Sequence, residues 1–104
     1  MVILSAEKTY VIATQKYALV DFYADWCGPC KMLAPELTKA EEDIASLDVF
    51  GCKINVDDCN DFSIKNKIQY VPTVIFFENG VEKDRFVGPK DKDGILDFVK
   101  KNLQ

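Results

Sequence analysis

The sequence predicts an α/β protein: a central mixed five-stranded sheet flanked by four helices. Three observations carry this. Short apolar runs alternate with segments whose apolar residues recur at helical spacing. The resulting order is β-α-β-α-β-α-β-β-α, and strands joined through helices are expected to pair in parallel. Near the end, Asn79-Gly80 between two apolar runs marks a hairpin, which adds an antiparallel edge. The chain has 104 residues, 48% of them apolar, with no linker, internal repeat or low-complexity stretch, so residues 1–104 read as one domain.

Val2-Ile3-Leu4 reads as a short first strand. Ser5 is placed to cap a helix running to about Gln15, with Tyr10, Val11 and Ala13 as its inward face. Tyr17 to Ala24 is almost continuously apolar, as a strand buried on both faces would be. After it, Leu33, Leu37, Ala40, Ile44 and Leu47 recur at spacings of three and four, which predicts a long amphipathic helix. Pro35 falls inside this helix and predicts a kink. Val49 to Val56 is the next strand. Asp57 or Asp58 is placed to cap a short helix over about Cys59 to Asn66. Thr73 to Glu78 and Val81 to Val87 form the hairpin. Asp91 or Asp93 opens a last helix, whose apolar face is Ile95, Leu96, Phe98, Val99 and Leu103.

Composition excludes several functions. The net charge is −4, with both signs spread along the chain, so no basic face is expected for nucleic acid. No stretch approaches the ~18 apolar residues of a membrane span. The first residues lack the charged start and apolar core of a signal peptide, so the expected compartment is cytoplasmic. Structural disulfides are rare there, and a chain of this length can bury a core without them.

The chemistry concentrates in Trp26-Cys27-Gly28-Pro29-Cys30-Lys31. Two thiols separated by two residues can close a small disulfide ring or share a metal ion. Cys27 falls where a strand gives way to a helix. Free backbone N–H groups and the helix dipole there favour a thiolate, which makes Cys27 the candidate nucleophile. Cys30 lies about one turn into the helix, so it is expected to be the less exposed thiol and to resolve a mixed disulfide on Cys27. Gly28 and Pro29 fix the turn and leave room for another protein's disulfide. The competing reading is half of a zinc site. A structural zinc needs four ligands, and the chain has no histidine and only Cys52 and Cys59 besides. The expected metal content is none.

Asp21 is the only acid in its strand. If desolvated, its carboxyl has a raised pKa and can exchange a proton with Cys30; alternatively it is an exposed acid on a solvated face. Lys53, between apolar residues of the next strand, is either its partner or an exposed lysine. Val71-Pro72-Thr73 is either a plain strand breaker or a turn built on a cis bond.

Together these residues resemble the thioredoxin family. Val20-Asp21-Phe22-Tyr23-Ala24-Asp25 leading into the CGPC stretch, then Pro35, Lys53, Val71-Pro72-Thr73, Asn79-Gly80 and Val87-Gly88, follow the family's order over nearly the whole chain. The resemblance implies the thioredoxin fold and a general protein-disulfide reductase acting by thiol–disulfide exchange. It implies that Cys27 attacks, Cys30 resolves, Asp21 transfers protons with Lys53 beside it, and Pro72 is cis. It implies a docking surface of Trp26, Gly28, Pro29, Val71, Pro72, Val87 and Gly88. The implied partners are protein disulfides and a thioredoxin-reductase-type electron donor, with no bound cofactor, no nucleic acid, no membrane and a monomeric state.

Three departures stand out. Tyr23 lies where many members carry Trp or Phe, so its hydroxyl is expected to alter hydrogen bonding near the site. Pro89 directly follows Gly88 and is expected to stiffen the docking loop. Cys52 and Cys59 are additional thiols. Cys52 reads as a small buried apolar residue, and Cys59, near a helix start, as a candidate for regulatory oxidation. Two other functions compete: a non-catalytic binding or scaffold subunit using the same face, and a disulfide oxidase or isomerase of a secretory compartment.

Overall fold

The sheet grows outward from the most apolar strand. In the computed structural model, which describes residues 1–104, Ala18 to Phe22 are all buried. The elements are β1 (Val2–Ile3), α1 (Val11–Thr14), β2 (Tyr17–Tyr23), α2 (Gly28–Ser46), β3 (Phe50–Asn55), α3 (Asn60–Lys65), β4 (Thr73–Glu78), β5 (Val81–Val87) and α4 (Lys92–Asn102). The strand order is β1-β3-β2-β4-β5, so β2 is central and β1 and β5 are the edges.

Alternation along β2 sorts the core into two halves. Leu19 faces α2 and α4 and packs with Leu33, Leu37, Ile44, Ile95 and Val99. Ala18, Val20 and Phe22 face the other way, toward Ile12 of α1, Ile54, Ile75 and Phe62 of α3. The residues expected on the inward faces of α2 and α4 are those the core contains, with Leu47 and Leu103 half-buried at the helix ends.

Three expectations are corrected. First, β4 pairs antiparallel with β2, although a helix joins it to β3. A parallel return must run back the length of the preceding strand. Six residues of helix cover about 9 Å, whereas six residues of strand cover about 20 Å. α3 is therefore too short to be a crossover.

Second, the helix expected from Ser5 to Gln15 is a 3-10 turn (Ala6–Lys8) followed by the four-residue α1. Its backbone bonds run back three residues, as in Lys8 to Ser5, Ile12 to Thr9 and Ala13 to Tyr10. The Thr9 hydroxyl donates to the Ala6 carbonyl at 3.3 Å, and β-branched Thr9, Val11, Ile12 and Thr14 disfavour a continuous helix. Ser5 makes no side-chain cap, Tyr10 and Ala13 are exposed, and Ile12 is the inward residue.

Third, neither Asp57 nor Asp58 caps α3. The Asn55 side chain accepts the Asp57 N–H at 2.9 Å and shapes that turn instead.

The hairpin is as expected. Asn79 and Gly80 have φ of 52° and 80°, the two positive values a type I′ turn requires. A Cβ on Gly80 would also meet the Cβ of Ala13 at 3.0 Å. β5 is charged along its middle, at Glu82, Lys83, Asp84 and Arg85, and its register with β4 slips between Phe76 and Phe77. α2 continues through Pro35 to Ser46. Asp91 caps α4 by accepting the Gly94 N–H at 2.8 Å, and Glu36 of α2 accepts the Lys92 N–H at 2.9 Å.

Candidate active site

β2 ends at Tyr23, and the chain turns so that the Cys27 N–H reaches the Ala24 carbonyl at 3.3 Å. Cys27 thereby becomes the N-cap of α2, with Pro29 in the first turn, where its missing N–H costs nothing. Cys27 and Cys30 form a disulfide, their Cα atoms 5.3 Å apart. The Cys27 Sγ accepts the backbone N–H of Cys30 at 3.1 Å. The same donor would hold a thiolate on Cys27 more strongly, since a charged acceptor strengthens the bond.

The expected contrast in exposure between the two cysteines is not observed. Cys27 is 4% and Cys30 6% exposed. Cys27 and Cys30 form a small buried cluster with Ala24, against which Val71, Tyr23 and Val56 pack. The asymmetry lies in polar surroundings instead. The Val71 carbonyl oxygen stands 3.5 Å from the Cys27 Sγ. A disulfide sulfur has no hydrogen to give it, but a reduced thiol at this position can donate to that oxygen. The Val71–Pro72 bond is cis, and Pro72 is buried.

Asp21 is 1% exposed, which removes the reading of a solvated acid. It shares the Leu19 side of β2, the side that faces α2. Its Oδ1 has no hydrogen-bond partner. Burial pushes its carboxyl up to about 6, against a smaller opposing pull from the charge of Lys53. Lys53 is its register partner across the β2–β3 ladder, half-buried, with its ammonium 4.5 Å from the centre of the Tyr23 ring. Tyr23 thus engages Lys53 through its ring face, and burial raises its own pKa.

Around the pair, Trp26, Gly28, Pro29 and Val87 are exposed, while Val71 and Gly88 are half-buried. The Trp26 indole N–H donates to Asp57 Oδ2 at 2.8 Å, which fixes the ring. Gly88, at φ 92°, donates its N–H to the Pro72 carbonyl at 2.9 Å and so ties together the two segments expected to dock partners. Pro72, expected on the docking surface, is buried immediately before β4.

The structure adds a groove that the sequence did not reveal. It is about 450 Å³, and Trp26, Ile64, Ile68, Tyr70 and Val71 are among the residues that line it. Ile64 and Tyr70 are exposed there, which their residue types do not disclose in the sequence.

Cys52 is fully buried and its thiol is pushed up to about 12 by burial and by the nearby Asp21 charge. Regulatory oxidation at Cys59 requires an exposed, readily ionised thiol. Cys59 is 2% exposed, its thiol points to the Leu4 carbonyl at 3.7 Å, and burial with Asp58 and Glu7 raises its pKa. It is therefore poorly placed to react. No group of three or more potential ligand side chains is arranged to hold a metal ion. No helix is long and apolar enough to cross a membrane.

The chain matches the thioredoxin family model over residues 2–101. It is 42% identical over 88 residues to a thioredoxin of Mycoplasma genitalium, covering 85% of this chain and 84% of that one. It is 42% identical over 84 residues to thioredoxin-1 of Saccharomyces cerevisiae, covering 81% and 80%. Among solved structures, a thioredoxin of Malassezia sympodialis superposes with a TM-score of 0.86 at 30% identity, covering 100% of this chain and 92% of that one. A thioredoxin of Fasciola hepatica superposes with a TM-score of 0.83 at 28% identity, covering 98% and 99%. With sequence, fold and the bonded cysteine pair in agreement, the chain belongs to the thioredoxin family of thiol–disulfide oxidoreductases.

Proposed function

We propose that the chain reduces disulfides of other proteins with Cys27 as the attacking and Cys30 as the resolving thiol. The observation that carries the assignment is the Cys30 N–H directed at the Cys27 sulfur, which favours the thiolate at Cys27 alone. The Cys27 thiolate attacks one sulfur of the partner's disulfide, and the other sulfur leaves as a thiolate and takes up a proton. Cys30, losing its proton, then attacks the Cys27 sulfur. The partner's second thiol is released and the Cys27–Cys30 disulfide remains, so two electrons have passed to the partner.

Asp21 is the acceptor for the Cys30 proton. Burial tunes it toward neutrality, and Lys53 limits how far its pKa rises. Trp26, Gly28, Pro29, Val71, Val87 and Gly88 surround the sulfurs and receive the partner segment, with Pro72 holding its own carbonyl to Gly88. A thioredoxin-reductase-type donor restores the dithiol. Cytoplasmic residence suits two buried thiols that form no disulfide. The protein acts as a monomer and residues 1–104 as one domain.

Cys30→Ser should trap mixed disulfides with partner proteins, and Cys27→Ser should not. Equal trapping by both would reverse or abolish the assignment. A wild-type chain with both thiols reduced that fails to turn over insulin disulfides would favour a binding role on the same face.

A further inference from the structure

α3 stops without a glycine. Lys67 adopts the left-handed conformation at φ 57°. Its N–H reaches the Ile64 carbonyl at 2.9 Å, and the Ile68 N–H reaches the Ser63 carbonyl at 3.0 Å. These two bonds form the helix-ending turn that most often has glycine at the left-handed position. A lysine there crowds its own backbone, so the turn is strained. The Asn66 and Lys67 carbonyls accept from no backbone N–H.

Arg85 supplies donors for both. Its Nη2 donates to Asn66 O at 2.8 Å and its Nη1 to Lys67 O at 3.4 Å. Arg85 lies opposite Ile75 in the β4–β5 ladder, on the side of the sheet that carries α3. Glu82 grips the same guanidinium, accepting from Nε and Nη2 at 2.6 Å each. The planar fork is thus held by a carboxylate on one side and presented to the turn on the other.

The turn leads straight to the groove. Ile68, Gln69, Tyr70 and Val71 follow it and line the groove together with Trp26. Val71 ends this stretch with its carbonyl 3.5 Å from the Cys27 sulfur. The far end is pinned separately, by the Thr73 hydroxyl donating to the Tyr70 carbonyl at 2.6 Å.

We infer that Arg85, held by Glu82, is a positioning residue for the groove wall 68–71 and sets how tightly a protein disulfide is bound, without acting on the exchange at Cys27. The inference rests on the reading that partner segments dock at Trp26 and Val71, and extends that docking into the groove these two residues line. Arg85 reaches the wall only through the turn, so a change there should alter binding and leave the chemistry intact.

The test compares insulin reduction driven by dithiothreitol with single-turnover reduction of 5,5′-dithiobis(2-nitrobenzoate), a small disulfide that needs no groove. Arg85→Ala should raise KM for insulin about five-fold, with kcat and the small-disulfide rate within about two-fold of the parent. Arg85→Lys should recover part of the loss, having one point charge in place of a fork. Lys67→Gly added to Arg85→Ala should recover most of it, because glycine holds the turn unaided. Tyr70→Ala serves as the groove control. If Tyr70→Ala raises KM and Arg85→Ala does not, the groove stands and the role of Arg85 falls. If neither raises KM, the groove reading fails and takes this inference with it. A matching loss on both disulfides would place the effect of Arg85 on the chemistry or the fold, and would also overturn it.

Discussion

Asp21 and Lys53 face each other across the parallel β2–β3 ladder, yet the Lys53 ammonium lies over the Tyr23 ring and one Asp21 oxygen is left without a hydrogen bond. The carboxyl is buried and only partly compensated, and this has a measurable cost. The folded chain holds the Asp21 proton more tightly than the unfolded chain does. Asp21 therefore favours the folded state at low pH, and that advantage is lost as pH rises from about 4 through about 6. The rise from 3.8 to about 6 converts to about 3 kcal/mol. Asp21→Asn should gain on the parent in urea stability by up to that amount between pH 4 and pH 7.5. Parallel pH profiles for the two proteins would remove the buried charge from the account.

Lys53→Met takes away the charge that holds the Asp21 pKa down. The pH at which Asp21 gives up its proton should move further toward alkali. An inflection in the pH–rate profile of disulfide reduction should follow it, and should vanish in Asp21→Asn. An inflection that stays in place in both variants would show that this carboxyl does not serve Cys30.

Cys52 and Cys59 should resist alkylation in the folded, reduced protein at pH 8, because both are buried and both thiols have raised pKa values. Peptide mapping after iodoacetamide should find label first at Cys27, where the Cys30 N–H favours the thiolate, and at all four cysteines only after unfolding. Early label at Cys59 would restore it as a regulatory site.

Asp91→Ala removes the cap on α4 and should cost about 1 kcal/mol in denaturant unfolding. Glu36→Ala removes the acceptor that α2 offers to the Lys92 N–H and should cost a similar amount. Both variants should keep the exchange rate at Cys27 unchanged. A loss of activity without a loss of stability would mean that α4 bears on the site directly.

The sequence disclosed best what depends on local order. The position of Cys27 between a strand and a helix was legible, because a helix start follows from nearby residues. The burial of Asp21 could be suspected from a single acid among apolar neighbours. The direction of β4 was not legible, since a short helix and a true crossover look alike until their lengths are set against the sheet. The covering of Cys27 by Val71 was equally hidden, for it joins residues 44 positions apart. The groove wall depends on how α3 ends, and that ending is held by Arg85 from another strand. Interactions of such span leave no pattern in any short window of sequence.

The two borders of the sheet matter for any protein that presents strand edges to other chains. A free strand edge invites another chain to add itself, and growth by such addition leads to fibrils. Here one border is two residues long, and the other carries four consecutive charged side chains beside a register slip. Neither border offers another chain a long, uncharged ladder to extend. Contact with a disulfide substrate can then end without the two chains joining edge to edge.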